Sequence, residues 1–321
     1  MKRLATIALT IAAATFGAFA NAQEFPSKPI TIVTPYSVGG PSGIQGQILA
    51  DFISPKLGQP VVIESKPGAG ATIGPAFVAN AEPDGYTLLI AGAPSFSISP
   101  TLIADVPYKG HEAFRQIATV SNAGNAFAVN ADSEIKTIAD LVAAAKADPG
   151  GLTFGTPGIG SLGQLATTEF MQKAGVEMTH VPFKGGAPVV TDLLAGNIDV
   201  GVLNIGPLLP QVEAGKIRIL ATTGPERSFE TPDTPTMQEE GFDGFDFQTW
   251  YSISGPAGLP DSVVKILSDA LGEALNDPGV QEKWKTAGLE LNYKPAGDAQ
   301  AFVAADSQKM IALIEAAGIK Q

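Results

Sequence analysis

Short apolar runs alternate with segments of helical period along most of the chain. Residues 28–34, Lys28-Pro29-Ile30-Thr31-Ile32-Val33-Thr34, read as a buried strand. The next segment, 42–54, sets Ile44, Ile48, Leu49 and Phe52 on one helical face, with Ser42 as N-cap and Pro55 as stop. A strand at 61–64, a helix at 71–81 and a strand at 86–90 follow, the last introduced by the turn Pro83-Asp84-Gly85. This β-α-β-α-β order predicts a parallel sheet with helices on both faces.

The order then restarts. Strands are predicted at 127–129, 152–156, 178–183, 198–203, 217–222 and 247–253. Helices are predicted at 137–147, 162–174 and 188–195. Residues 224–244, rich in Pro, Thr, Glu and Gly, read as a loop with one short helix near Met237. Helices at 261–276 and 298–317, N-capped by Asp261 and Asp298, close the chain with a shorter one at 280–287 between them. Two α/β units, with the last segment free to return to the first, predict a bilobal protein. Ligands of such sheets bind beyond the carboxyl ends of the strands, here the cleft between lobes.

The N-terminus has a different pattern. Lys2 and Arg3 precede an apolar or small run from Leu4 to Ala20, and Ala20-Asn21-Ala22 forms a small-residue cleavage site. Residues 1–22 therefore read as a secretory signal peptide, with the mature chain starting at Gln23. The run of about 17 residues is at the short end for spanning a bilayer. No later segment is as long and apolar, so a freely diffusing periplasmic protein is expected.

Composition narrows the chemistry. With 20 basic and 32 acidic residues the net charge is −12, which argues against nucleic acid and anionic membranes as partners. The chain has no cysteine, which excludes disulfides, thiolate catalysis and cysteine metal sites, and only two histidines. His180 lies in an apolar strand and reads as a packed residue, whereas His111 lies in a polar stretch. No metal or other cofactor is expected.

The loops that follow strands carry the specific signals. Pro35-Tyr36-Ser37-Val38-Gly39-Gly40-Pro41-Ser42-Gly43 joins the first strand to the first helix. Paired glycines and a helix N-terminus form an anion cradle that needs no basic side chain. An ordinary strand-to-helix turn with a serine cap would look the same. Residues 155–164 repeat the arrangement in the second unit, with a formal G-x-G-x-x-G at Gly158, Gly160 and Gly163. A dinucleotide site would need an acidic residue ending the next strand, but that strand ends Phe183-Lys184-Gly185. A second anion cradle, with Ser161 capping the helix, fits better. The third loop, 91–97, offers the Ser95 hydroxyl and the Phe96 ring, although buried serines and a core phenylalanine fit equally. Enzyme signatures are poor. Ile159 breaks the G-x-S-x-G elbow at Ser161, and Ser133-Glu134-Ile135-Lys136 matches S-x-x-K only by chance.

At this level of detail the chain resembles the Bug-type substrate-binding proteins of tripartite tricarboxylate transporters. The resemblance covers essentially all of the sequence after the signal segment. It is carried by an ordered set of blocks, among them Phe25-Pro26-Ser27-Lys28-Pro29-Ile30, Lys66-Pro67-Gly68-Ala69-Gly70, Val181-Pro182-Phe183-Lys184-Gly185 and Asp192-Leu193-Leu194-Ala195-Gly196. It implies an α/β, two-lobed Venus-flytrap fold of type II, each lobe a mostly parallel sheet flanked by helices. The expected division is residues 23–123 plus 246–321 for lobe 1 and 124–245 for lobe 2. The positions matching the family's pocket are Tyr36, Ser37, Gly39, Gly40, Ser42, Ser95, Thr156, Gly160, Ser161, Lys184, Gly185 and Asn204, with Phe96, Gln164 and Trp250 added as lining. The implied role is capture of a small carboxylate for integral membrane transporter subunits, by a monomer and without catalysis. Gly43 stands where amino-acid-binding members carry Asp, which points to a di- or tricarboxylate without an amine; Phe96 and Trp250 admit an aromatic acid. Gln164 replaces a frequent His. A binding protein that signals to a membrane sensor would show the same pocket, and a secreted hydrolase would need a base beside a nucleophile, which the sequence does not show.

Overall fold

The computed structural model describes residues 25–36, 40–287 and 289–319, so the expected signal segment and the pocket candidates Ser37 and Gly39 lie outside the described residues. The first part of the chain forms β1 (Ile30–Thr34), α1 (Pro41–Leu57), β2 (Val61–Ser65), α2 (Ile73–Ala79) and β3 (Thr87–Ala91). A wide helical turn, Pro94–Ile98, runs into the short α3 (Ser99–Leu102), and β4 (Phe114–Ala123) ends the segment. The second part holds β5 (Asn125–Asn130), α4 (Ile138–Ala147), β6 (Thr153–Thr156), α5 (Leu162–Ala174) and β7 (Thr179–Pro182). It continues with α6 (Gly186–Ala195), β8 (Val200–Asn204), α7 (Leu209–Glu213) and β9 (Ile217–Thr222). The chain then returns through β10 (Thr249–Pro256), α8 (Asp261–Asn276), α9 (Pro278–Thr286), β11 (Glu290–Pro295) and α10 (Ala296–Ala317).

These strands build two sheets, ordered β11-β4-β10-β3-β1-β2 and β7-β6-β8-β5-β9. Each is mixed, not mostly parallel as expected. In the first, β1 is parallel to β2 and β3, but β10 lies antiparallel between β3 and β4, and β11 is antiparallel to β4. In the second, β6, β7 and β8 are parallel, and β5 lies antiparallel between β8 and β9. The reason is the crossing. β5 and β10 are the strands by which the chain enters each lobe, so each runs away from the boundary while its neighbours run toward it.

Local chemistry explains where the elements start and stop. Thr137 closes a capping box with Asp140 at the start of α4, and Ser161 caps α5. Ser42 is not a cap. Pro41 occupies the first helical position, where its missing N–H costs nothing, and Gly40 takes the flanking place. Pro55 does not stop α1; it sits in the last turn, and the helix ends at Gly58 with φ +66°. Asp261 lies in the first turn of α8 and Asp298 in that of α10; neither is a cap, but both place negative charge near the positive end of a helix. Near Met237 there is no helix; turns follow a single parallel bridge between Thr222 and Thr236.

The first sheet buries one face against α1, α8 and α9 through Ile32, Leu49, Ile53, Leu267 and Trp284. Its other face packs Val33, Leu89, Phe96, Trp250 and Val303 into a core continuous with Phe127, Phe154, Leu165 and Phe170 of the second lobe. Helix α10 spans that junction: Lys309 lies 3.4 Å from Glu169 of α5 and donates to the Asp246 carbonyl at 2.9 Å. Among the described residues no helix is long and apolar enough to cross a membrane.

Candidate functional site

The two glycine loops lie where the strand order requires, after β1 and after β6 at the helix N-termini of α1 and α5. By helix geometry the first-turn amides of Ser42 and Gly43, and of Leu162 and Gly163, have no partner within their own helices. Glycine is needed at 163 for a steric reason, since a Cβ there would stand 2.0 Å from the Val202 carbonyl oxygen. The start of α5 thus rests directly on β8.

Other donors are already engaged. The Gly160 N–H donates to Gln164 Oε1 at 2.7 Å. Ser161 N–H donates to the Gly158 carbonyl at 3.2 Å, and Gly185 N–H to the Pro157 carbonyl at 2.9 Å. The last contact draws the exposed Lys184 and the half-buried Gly185 beside the second glycine loop. Thr156 is fully buried; its hydroxyl donates to the Gly158 carbonyl at 3.1 Å and lies 2.7 Å from His180 Nε2. A hydroxyl that gives its proton to Gly158 must accept from Nε2–H. His180 stacks on Phe154 with 4.8 Å between ring centroids, and burial lowers its pKa. It is a packed, neutral support of the loop.

The third loop connects the two cradles. Gly160 (φ +74°) faces the first lobe so closely that a Cβ would stand 2.4 Å from Leu102 Cδ1 and 3.1 Å from Ile98 Cγ2. Just before these residues, Ser95 Oγ donates to the Ala71 carbonyl at 3.1 Å, and Tyr108 OH donates to the Ser95 carbonyl at 2.7 Å. Tyr36 opens the first cradle. Burial raises its phenol well above the usual range, and Tyr251 and Tyr108 are near enough to raise it further. Burial likewise raises Tyr108, and lifts Tyr251 to about 12. All three are neutral phenols at any physiological pH. Tyr108 and Tyr251 were missed in the sequence because neither lies in a glycine loop. Asn204 extends from the end of β8 to Thr249 Oγ1 of β10 at 3.0 Å, tying the second sheet to the entry strand of the first.

Five expected pocket side chains are buried: Ser95 and Thr156, as above, and three more. Ser42 is fully buried, and its hydroxyl shares a 2.6 Å hydrogen bond with Thr34 Oγ1 under the first cradle. Phe96 is fully buried, edge-on to Phe114 and stacked 5.8 Å from Trp250. Trp250 is 2% exposed and packs edge-on to Phe302. It lines a separate cavity of about 980 Å³ between β11, α10 and residues 225–229, together with Asn122, Trp284, Leu291, Phe302 and Asp306. Of the expected pocket residues only Trp250 lines that cavity. Its indole N–H and Asp306 Oδ2 are both buried without an aligned hydrogen bond. Burial raises the Asp306 carboxyl to about 6, with Trp250 and Lys309 pulling it partly back and Asp246 pushing it up.

The comparisons with known proteins bear on this geometry. The model of the tripartite tricarboxylate transporter family receptor matches residues 46–319. The chain belongs to that receptor family. The family resemblance read from the sequence blocks is therefore correct, and so is the two-lobed α/β fold. Protein BugT of Bordetella pertussis is 29% identical over 320 residues, covering 99% of this chain and 98% of BugT. A solved structure from R. palustris with adipate is 28% identical, with a TM-score of 0.77 over 92% of this chain and 99% of that one. MatC from Rhodopseudomonas palustris with bound malate is 26% identical, with a TM-score of 0.70 over 90% and 98% of the two chains. Receptors of this family are solute-binding proteins with the periplasmic binding-protein fold, and some hold dicarboxylates.

Proposed function

We propose that this chain is a periplasmic receptor that captures a small di- or tricarboxylate lacking an amine and hands it to the integral membrane subunits of a tripartite transporter. Residues 1–22 are its cleaved signal, and the lobes are 23–123 with 246–321, and 124–245. The observation that supports the reading most is the pair of helix N-termini, α1 and α5, that follow the two glycine loops in a receptor of this family. Two partly positive helix ends suit a ligand with two acidic groups. In this reading Tyr36, Gly40, Gly160, Ser161, Lys184, Gly185 and Asn204 face the ligand; Ser37 and Gly39 belong to the same first loop in sequence. Ser42, Ser95 and Thr156 hold the loops from beneath. The argument for an aromatic acid falls away, because it relied on Phe96 and Trp250. The Thr156 hydroxyl beside His180 is spent on supporting the second loop, and in this reading the receptor binds without turnover, as a monomer.

A thermal-shift screen of the mature protein tests this. C4–C6 dicarboxylates and citrate should raise Tm by mass action, and aspartate and glutamate should not. A shift with the two amino acids alone would show that the absence of Asp at Gly43 was misread. No shift with any acid, on protein confirmed ligand-free, would overturn the ligand class.

A further inference from the structure

We propose that the Gln164 carboxamide is a tethered stand-in for the ligand's carboxylate, occupying the Gly160 N–H until a ligand displaces it. The proposal rests on the receptor reading above. A carbonyl oxygen accepting an N–H at 2.7 Å in front of a helix N-terminus makes the contact that a carboxylate oxygen would make, without the charge. Gly160 is buried and abuts Ile98 and Leu102 of the other lobe, so the contact lies at the lobe boundary. Gln164 itself is half-buried, leaving its side chain a way out.

An ordinary helix cap is the competing explanation. In a capping box the third helical residue bonds the N–H of the cap residue. Here the cap is Ser161, whose N–H goes to the Gly158 carbonyl, and Gln164 reaches past it to Gly160, outside the helix. The bond secures the loop's free donor more than the helix end. It keeps a buried N–H satisfied, a group that would otherwise carry a desolvation penalty. The plug weakens every ligand that needs this N–H by one common factor. It leaves the ratio between such ligands unchanged and drops weak anions below the working range.

The experiment is calorimetry with succinate, malate and adipate on the wild type, Gln164→Met and Gln164→Glu, with Tm measured on each unliganded protein. Gln164→Met keeps the bulk and removes the acceptor. It should tighten all bound acids together, about fivefold for one hydrogen bond of ordinary net strength. Gln164→Glu installs a charged plug at the helix end. It should raise the unliganded Tm at pH 7.5, weaken the acids at least tenfold, and regain affinity as the pH falls below the carboxyl's pKa. Weaker binding by Gln164→Met, or altered ratios among the acids, would mean that Gln164 contacts the ligand directly, and unchanged affinity would mean a cap; each overturns the proposal. Wild-type protein that binds none of the acids overturns the receptor reading and this one with it, whatever the Tm of Gln164→Glu shows.

Discussion

Replacing Gly160 with alanine separates two costs that the structure places on one residue. The first is conformational. Gly160 has φ +74°, a region that costs a residue with a Cβ about 1–2 kcal/mol. That cost is present whether the lobes are apart or together, so it lowers stability and cancels in binding. The second is steric and exists only while the lobes are together, so it enters affinity to the extent that they part when the ligand leaves. The added methyl would stand 2.4 Å from Leu102 Cδ1, the far end of a flexible side chain, and 3.1 Å from the less mobile Ile98 Cγ2. Because Leu102 can rotate, the low end of the overpacking range applies, about 1–2 kcal/mol. That corresponds to an affinity loss of about 5- to 30-fold. Calorimetric titration with the acid found in the screen reads the second cost, and scanning calorimetry of unliganded protein reads the first. Adding Leu102→Ala should restore most of the affinity and none of the stability. Unchanged affinity in Gly160→Ala would refute contact of the lobes at Gly160 in the bound state. Failure of Leu102→Ala to rescue would trace the loss to the loop itself.

Phe96→Ala should destabilise by about 3–5 kcal/mol, as a fully buried ring deletion does, yet leave the order of ligand affinities unchanged; a changed order in the thermal-shift screen would return Phe96 to the pocket. Tyr108→Phe removes the 2.7 Å bond to the Ser95 carbonyl and should cost about 1 kcal/mol in urea unfolding, while equal midpoints would show that water replaces it. Asp306 titrates at about 6 in the fold but near 3.9 unfolded, so the native state holds the extra proton. Stability therefore falls as pH rises from about 4 to 6, and the cost is complete at neutral pH. Asp306→Asn should raise Tm at pH 7.5, by at most about 3 kcal/mol of stability, and not near pH 3.5; parallel pH profiles for the two proteins would refute the assignment.

What the sequence made legible depended on whether the signal was local. Helix α5 was readable to the residue because Ser161 and Gly175 mark its ends within the segment itself. Strand β4 was missed because its sequence, Phe-Arg-Gln-Ile-Ala-Thr-Val-Ser-Asn-Ala, looks too polar for a central strand. Its polar groups find distant partners: Gln116 Oε1 accepts from Ser252, Thr119 donates to the Asn292 carbonyl and Ser121 to Gln45, while Gln116 Nε2 stays buried without one. β11 was missed likewise, since its pairing with β4 spans more than 160 residues of chain. Both glycine loops between strand and helix were visible as spacings. The direction of a ring was not: Phe96 and Trp250 turn into the core. The use of Gly160's N–H by Gln164 was also hidden, because a side chain bonding backward to the backbone leaves no periodic trace.

The insertion of β10 between β3 and β4 sets an order of assembly. The second sheet has all its strands by Thr222, whereas the first lacks a central strand until Pro256 is in place. Until then β3 and β4 border a slot two strand spacings wide, roughly 10 Å. Ile90 and Ala118, the neighbours of Ile253, line it with their backbones unpaired. A chain threaded N-terminus first would finish its second lobe while its first stands open. An interruption between 222 and 249 leaves exposed sheet edges that a second unfinished copy can pair with. The crossing that joins the two lobes also makes a late strand the keystone of the earliest sheet.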